Sequence, residues 1–285
     1  MIPLLDRYDL ITPASLQGAL DDLAAHPGAR PFAGGTDLMV LLEAGHLPPG
    51  RYVSLSNCAE LAGIDETATG ICIGALTTYA AIRRSAVLSR DYPLLGIAAS
   101  ETGGVATQNR GTIGGNIANA SPAADTPPAL LVYDAELELV SRSGSRRVPY
   151  ASFHRGYKQM DLAPDELIAR VHLPGRTSAW RDYYRKVGTR RAQAISKVVL
   201  AGSIAMDGAR VHDVRIALGS VAPTVLRATQ TEAALRGRAL DDAVIASATR
   251  VLISEIAPID DLRSTARYRA GVSVNLLRAF LTNEE

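Results

Sequence analysis

The sequence predicts a mixed α+β fold built in two parts, on the evidence of its length and of a change in pattern near residue 181. The chain has 285 residues, and at about 150 residues per domain this length suggests two domains. Helical and strand-like segments alternate up to residue 174, whereas strands separated by short turns dominate after residue 181. The small, polar segment GRTSAW at 175–180 is the candidate linker. No repeat of fixed period occurs, which excludes a solenoid.

Helices and strands are both predicted in the first part. Thr12 followed by Pro13 is typical of a helix start, and leucines at helical spacing continue to the stop at Pro27-Gly28. A glycine-rich stretch over 103–115 cannot be regular structure throughout. The predicted helices cover 13–26, 38–45, 77–90 and about 92–102, and the predicted strands cover 51–55, 70–75, 136–142, 144–150 and 165–174.

In the second part, three strands precede three helices. The segments DYYRKVG, KVVLAGSIAM and VHDVRIALGSV, with a turn at Asp207-Gly208 between the last two, predict three antiparallel strands. Helical periodicity then returns at 227–236, 241–256 and 265–282.

The composition excludes several classes of protein. Lys and Arg number 30 against 29 Asp and Glu, and the formal net charge of +1 gives no reason to expect nucleic acid or an anionic membrane as partner. No apolar run approaches the ~20 residues of a membrane span, and MIPLLDRYDL is not a secretory signal, so a cytoplasmic protein is expected. Cys58 and Cys72, the only cysteines, cannot form a disulfide framework or hold an iron–sulfur cluster.

Two segments contain a glycine pair followed by a polar residue. These are PFAGGTDL at 31–38 and TIGGNIANASPAAD at 112–125. Glycine lets a ligand approach the backbone closely, and successive N–H groups in such a turn form an anion-binding concavity. Two such loops favour a pyrophosphate held from two sides. The alternative is a pair of tight turns that only pack against each other.

Other motifs give weaker indications. No Rossmann or P-loop pattern follows a strand, the five histidines lack metal-ligand spacing, and Ser121 lies outside a nucleophile-elbow pattern. The basic stretch at 181–197 is either a solvated strand face or a surface for an anionic ligand or acidic partner. Within it, Lys186, Arg190 and Arg191 are the candidates for such contacts.

Three motifs together resemble a known family. They are AGGTDL at 33–38, RGTIGGNIANASPAAD at 110–125 and YRKVGTRRAQAISKV at 184–198. In these motifs the chain resembles the FAD-binding medium subunit of molybdenum hydroxylases, and the similarity runs over nearly the whole chain. The third motif is most similar to the xanthine dehydrogenase type. Carbon monoxide dehydrogenases more often have a His where this chain has Thr36.

The resemblance implies a particular fold. This is a two-subdomain FAD-binding fold of the vanillyl-alcohol-oxidase (PCMH) type, followed by a C-terminal domain with a three-stranded antiparallel sheet and helices. The implied boundaries are 1–176 for the FAD-binding domain, with subdomains at about 1–56 and 57–176, and 177–285 for the C-terminal flavoprotein domain.

It also implies noncovalent FAD, because covalent attachment in this fold commonly uses a loop His and neither segment contains one. The cofactor, rather than other side chains, is expected to fill the space beside the small residues. Ile168 and Lys186 have alternative interpretations, as a strand-core residue and as a surface charge. The implied FAD-binding residues are Phe32, Ala33, Gly34, Gly35, Thr36, Asp37, Leu38, Thr112, Ile113, Gly114, Gly115, Asn116, Asp125, Ile168 and Lys186.

The implied function is electron transfer inside a complex. A large subunit would carry the molybdenum cofactor and a small subunit two [2Fe-2S] clusters, in a dimer of heterotrimers, with NAD or another acceptor receiving the electrons. No catalytic residue or metal site is expected in this chain. Two alternatives stay open: a stand-alone FAD-dependent reductase or oxidase of the same fold, and a flavin-free assembly subunit. The sequence does not distinguish among substrates or electron acceptors.

Overall fold

The computed structural model describes residues 5–176, 179–190 and 193–284. Thr177 and Ser178 of the predicted linker, and the candidate residue Arg191, lie outside the described residues. Helices and sheets are both present, as predicted, and the described strands form three sheets of three, five and four strands plus a two-stranded ribbon. None of the helices in these ranges combines the length and hydropathy that a bilayer crossing requires.

The N-terminal sheet is parallel and has the strand order β1-β3-β2. Helix α1 packs on it through buried Ala19, Leu20 and Leu23. It begins after Ser15, whose side chain accepts a hydrogen bond from the Gly18 N–H, so the predicted start after Thr12 is wrong. The elements are β1 (Tyr8–Ile11), α1 (Leu16–Ala25), β2 (Arg30–Phe32), α2 (Leu38–Glu43) and β3 (Gly50–Ser54).

The second sheet has five antiparallel strands in the order β4-β5-β10-β6-β7. It contains the hairpin and the long strand that the sequence predicts. The strands are β4 (Ile64–Thr67), β5 (Gly70–Gly74), β6 (Glu136–Ser141), β7 (Gly144–Pro149) and β10 (Leu167–Pro174), and the separate ribbon is β8 (His154–Gly156) with β9 (Gln159–Met160).

Short helices fill the connections of this sheet. The helix predicted over 77–90 is two helices, because Ser85 ends the first and its side chain accepts a hydrogen bond from the Leu88 N–H at the start of the second. The helices are α3 (Tyr79–Arg84), α4 (Ala86–Asp91), α5 (Pro93–Glu101), α6 (Val105–Arg110), α7 (Ile113–Asn119), α8 (Pro127–Val132) and α9 (Tyr150–Phe153).

The third sheet is antiparallel and has four strands rather than the predicted three. The additional strand is only two residues long, which is too short for a periodic pattern to reveal. The elements are β11 (Arg181–Val187), β12 (Val198–Asp207), β13 (Arg210–Gly219), β14 (Leu226–Arg227), α10 (Thr229–Leu235), α11 (Asp242–Glu255) and α12 (Ala266–Thr282).

Arg176 connects the second and third sheets. Its guanidinium donates to both carboxylate oxygens of Asp182, at 2.8 and 2.9 Å, and to the Ser203 hydroxyl at 2.8 Å. It also lies 4.9 Å from the centre of the Tyr133 ring. A bidentate Arg–carboxylate pair of low exposure holds its partners in a fixed geometry. The two sheets are therefore held together at the point where the chain passes from one to the other.

Candidate functional site

The first glycine segment is a turn between β2 and α2. Phe32 ends the strand, Leu38 begins the helix, and Gly35 has a φ of +72°, which favours glycine. A Cβ added to Gly34 would lie 1.9 Å from the carbonyl oxygen of Arg110. Only a residue without a side chain therefore allows this turn to approach the backbone that precedes the second glycine segment.

The turn leaves successive backbone N–H groups unused. The amides of Gly34, Gly35, Thr36 and Asp37 donate no hydrogen bond to any described residue. The Thr36 side chain is exposed and its hydroxyl has no hydrogen-bond partner among those residues. Unpaired N–H groups of this kind require water or a ligand, and consecutive ones favour an anion.

The second glycine segment is the first turn of a helix and not a loop, so that expectation is wrong. Thr112 is the N-cap of α7, and its side chain accepts a hydrogen bond from the Gly115 N–H at 3.1 Å. Most of the preceding stretch is also helical, since α6 covers Val105–Arg110. Gly114 is buried and Gly115 is exposed.

The N–H groups of this helix start are already paired. We expected the second segment to bind a cofactor through such groups, and the structure contradicts that mode of binding. What the segment presents instead is the exposed backbone of Gly115 and the side chain of Asn116. The Ile113 amide donates to Thr77 O at 3.0 Å, and the Gly114 amide donates to Ala75 O at 2.8 Å. The Gly115 amide donates to Thr112 Oγ1 at 3.1 Å, and the Asn116 amide donates to Thr112 O at 3.0 Å.

Packing explains why Gly114 is a glycine. A Cβ at this position would lie 2.6 Å from the Cβ of Ala75 and 2.9 Å from its carbonyl oxygen. Real Cβ atoms do not approach other atoms so closely, and β5 runs directly beneath the helix start. The expectation that a cofactor fills the space beside the small residues is therefore wrong at Gly114, where the protein itself fills it.

The two segments meet in space. The Asn119 amide Nδ2 donates to Asp37 Oδ1 at 3.2 Å, across 82 positions of sequence. A Cβ on Gly115 would lie 3.9 Å from the Cβ of Ala33. Lys158 donates to Asn119 Oδ1 at 2.7 Å, which fixes the acceptor side of that amide. The unpaired N–H groups of the first segment and the Asn116 side chain therefore belong to one region of the surface.

Asp125 and Lys186 form a buried ion pair beside this region. The Lys186 ammonium donates to Asp125 Oδ2 at 2.8 Å and to the Glu101 carbonyl at 2.7 Å, and its side chain is 4% exposed. Ser196 donates to Asp125 Oδ1 at 2.6 Å. Burial raises the pKa of the Asp125 carboxyl, and the bonds from Lys186 and Ser196 only partly oppose this. The alternative of a surface charge for Lys186 does not hold.

Ile168 lies in β10, among core residues. It is 7% exposed and belongs to the hydrophobic cluster that contains Ile113 and Ile117 of α7. The next residue, Ala169, accepts a hydrogen bond from the Ala75 N–H at 2.9 Å. Ile168 thus supports the strand on which the second glycine segment packs.

One contact of the site was not predicted. The Thr126 hydroxyl donates to Asn116 Oδ1 at 2.6 Å, and Thr126 is fully buried. The sequence placed Thr126 directly after Asp125, but nothing in its pattern indicated a contact with Asn116 ten positions earlier. Among the described residues, no group of three His, Cys, Asp or Glu side chains is arranged to hold a metal ion.

The donors of this region fit the oxygens of a phosphate-containing ligand. They are the N–H groups of residues 34–37, the Thr36 hydroxyl and the Asn116 amide nitrogen, none of which donates to another described residue. All are neutral donors, and successive N–H groups of this kind form an anion-binding concavity. Gly35 is required by the turn itself, because its φ is positive and an added Cβ would lie 2.7 Å from Phe32 Cζ.

Two protein families match the chain, one after the other. The family described as "FAD binding domain in molybdopterin dehydrogenase" matches residues 6–176. The family described as "CO dehydrogenase flavoprotein C-terminal domain" matches residues 183–283.

Individual relatives match over nearly their full length. The glyceraldehyde dehydrogenase medium chain of Sulfolobus acidocaldarius is 32% identical over 275 residues, covering 96% of this chain and 97% of the relative. The xanthine dehydrogenase FAD-binding subunit of Escherichia coli O157:H7 is 32% identical over 261 residues, covering 90% of this chain and 88% of the relative. A chain of the carbon monoxide dehydrogenase structure from Hydrogenophaga pseudoflava superposes with a TM-score of 0.93 at 29% identity. The match covers 98% of this chain and 96% of that chain.

Proposed function

Because the chain belongs to the family of FAD-binding medium subunits of molybdenum hydroxylases, we propose that it binds one FAD noncovalently and transfers electrons within a multi-subunit complex. The observation that carries this proposal is the group of unpaired N–H donors at residues 34–37, beside the Asn116 amide. FAD supplies the ability to exchange electrons singly with a [2Fe-2S] partner and in pairs with an acceptor.

The residues of this chain bind and orient the cofactor. The N–H groups of residues 34–37 and the Thr36 hydroxyl would hold the diphosphate, and the Asn116 amide nitrogen would donate from the second segment. Lys186 uses two of its ammonium protons on Glu101 and Asp125, which leaves the third for the ligand. The full proposed set is the one that the resemblance implies, in which the buried residues Ile113, Gly114 and Ile168 would shape the site through packing and not through contact with the ligand. The set is Phe32, Ala33, Gly34, Gly35, Thr36, Asp37, Leu38, Thr112, Ile113, Gly114, Gly115, Asn116, Asp125, Ile168 and Lys186.

A test of this proposal starts with the isolated chain. Purified protein, stripped of any bound flavin and titrated with FAD, is expected to bind one equivalent and to show a flavin absorption spectrum. Denaturation should release all of the flavin into the supernatant. A chain that folds but binds no FAD contradicts the proposal, and flavin that stays attached after denaturation contradicts noncovalent binding.

The partners follow from the family. Relatives are named as medium chains or as subunits of dehydrogenase complexes. We propose a large subunit with the molybdenum cofactor and a small subunit with [2Fe-2S] clusters, assembled as a dimer of heterotrimers. Co-purification from the native host, followed by measurement of the mass and metal content of the complex, tests this. A chain recovered only alone, with flavin bound, would favour a stand-alone enzyme.

We propose that the complex is like xanthine dehydrogenase, with xanthine as the substrate and NAD⁺ as the electron acceptor. The motif at 184–198 and Thr36 in the first segment support this. An aldehyde is the second candidate, because the glyceraldehyde dehydrogenase relative is as similar, at 32% identity, as the xanthine dehydrogenase subunit. Assays of the native complex with xanthine and with glyceraldehyde, each with NAD⁺ or an artificial acceptor, decide between them.

Three further points are part of the same proposal. The two-subdomain fold is of the vanillyl-alcohol-oxidase (PCMH) type, and the domains meet at residues 176 and 177. The complex works in the cytoplasm, a location consistent with Cys58 and Cys72 being buried free thiols. Limited proteolysis with cleavage inside 175–180, and fractionation of the native host, test the boundary and the location.

A further inference from the structure

The Asn116 side chain has one occupied end and one unoccupied end. Its Oδ1 accepts the hydrogen bond from Thr126 at 2.6 Å, whereas its Nδ2 has no partner among the described residues. Asn116 is partly exposed, so Nδ2 can meet a ligand. A side-chain amide offers a ligand either its oxygen or its nitrogen, depending on which way it is turned.

The burial of Thr126 determines which way the amide is turned. Thr126 is 0% exposed, and Asn116 Oδ1 is the only acceptor that its hydroxyl has among the described residues. If the amide were reversed, Nδ2 would donate to Thr126 and the buried hydroxyl proton would have no acceptor. An unsatisfied buried donor is far more costly than an unused lone pair. The hydroxyl therefore selects the orientation with Nδ2 free.

Hydrogen bonds to Thr126 and to its neighbour Asp125 fix the position of Thr126. Its carbonyl accepts hydrogen bonds from the N–H groups of Ala129 and Leu130 at the start of α8. The preceding residue, Asp125, is bound through its carboxylate by Lys186 and through its carbonyl by the Tyr184 hydroxyl, at 2.9 Å. Lys186 and Tyr184 lie on β11, so the C-terminal part of the chain fixes the position of Thr126.

We propose that Thr126 is a positioning residue that turns the Asn116 amide so that its nitrogen donates to the bound FAD. This inference rests on the proposed function, because it assumes that FAD is the ligand. The acceptors on FAD would be oxygens of its diphosphate or ribityl chain, and an amide oxygen turned towards the anionic diphosphate would repel it. Thr126 contributes to binding without contacting the cofactor.

A double-mutant cycle tests the proposal on the full-length chain. Thr126→Val keeps the side-chain shape and removes the hydroxyl, and Thr126→Ser keeps the hydroxyl as the matched control. The Kd for FAD is expected to rise about tenfold in Thr126→Val, which corresponds to the loss of about one oriented hydrogen bond. The Kd of Thr126→Ser for FAD should stay within about twofold of that of the unsubstituted protein. In an Asn116→Ala background, Thr126→Val should have no further effect on the Kd.

Each other outcome has a distinct meaning. If Thr126→Val weakens FAD binding equally in the Asn116→Ala background, Thr126 acts through general stability and the inference is wrong. It is also wrong if Thr126→Val binds FAD normally, or if Asn116→Ala does. In these cases the unsubstituted chain still binds FAD and the proposed function stands, whereas a chain that binds none contradicts the proposed function itself. Thermal melting of the flavin-free variants separates loss of folding from loss of binding.

Discussion

The glycine pairs at 34–35 and 114–115 are each followed by a polar residue and lie against each other, but their backbone N–H groups have different partners. In the first segment the amides of residues 34–37 donate to no described residue, whereas in the second every amide from Ile113 to Asn116 is paired within the protein. Similar sequence patterns thus leave backbone N–H groups unpaired in one segment and pair them within the protein in the other. The two segments differ in the hydrogen-bond partners of their N–H groups and not in their glycines.

The difference originates in what precedes each pair. The first pair follows a short strand, and the chain turns through Gly35 at positive φ before α2 begins. The second pair follows Thr112, whose side chain caps the helix and uses the Gly115 N–H. A capping side chain satisfies donors that would otherwise be available. The second segment can then contribute side chains to a ligand but not its first-turn N–H groups.

The largest expected effect concerns packing in the second segment. Gly114→Val should destabilise the flavin-free protein by more than about 3 kcal/mol, because its Cβ would overlap Ala75. Urea unfolding of the flavin-free protein measures this. Gly271→Val is the matched control, since a Cβ at that helical glycine of α12 meets no atom within 4 Å. A Gly114→Val protein as stable as the control would contradict the packing role.

A smaller effect is expected at the cap of the same helix. Thr112→Val removes the oxygen that accepts the Gly115 N–H, and loss of an N-cap of this kind costs about 1 kcal/mol of stability. Thr112→Ser, which keeps the oxygen, should recover most of the loss in urea unfolding. If Thr112→Val and Thr112→Ser are equally stable, the Gly115 amide does not depend on the cap.

The smallest effect on stability is expected in the first segment. Thr36→Val should change the free energy of unfolding by less than about 0.5 kcal/mol, because the Thr36 hydroxyl has no partner among the described residues. The same change should raise the Kd for FAD about fivefold, and Thr36→Ser should bind as the unsubstituted chain does. Titration with FAD measures this, and unaltered affinity in Thr36→Val would remove Thr36 from the site.

Long periodic elements and several short ones could be predicted from the sequence, whereas the shortest strand and the break inside one helix could not. Strand β10 and helices α11 and α12 lie where the alternation and the helical spacing predicted them. Strand β14, with two residues, is too short to show a period, and this is why the third sheet was predicted with one strand too few. The helix over 77–90 was predicted as one because Ser85 interrupts it without breaking its apolar pattern.

For the candidate site, the sequence singled out the two glycine segments, Asp125 and Lys186, but not the contacts that these residues make. Glycine has a low helix propensity, so the segment at 112–116 resembled a loop. The close approach that requires Gly114 comes from Ala75, which directly follows β5 and is distant in sequence. The burial of Lys186 depends on Glu101 and Asp125, which lie 85 and 61 positions away. Thr126 was missed for the same reason, since its contact with Asn116 is visible only in three dimensions. Local patterns do not contain these tertiary contacts.

Residue-resolved amide hydrogen exchange, measured on the flavin-free and the FAD-saturated chain, tests the contrast between the two segments most directly. We expect fast exchange at residues 34–37 in the flavin-free protein and exchange slowed at least about tenfold when FAD is bound. Residues 113–116 should be protected to a similar degree in both states, because their N–H groups are paired within the protein. Protection of residues 34–37 in the absence of FAD, or unchanged exchange there at saturation, would contradict FAD binding by the N–H groups of the first segment.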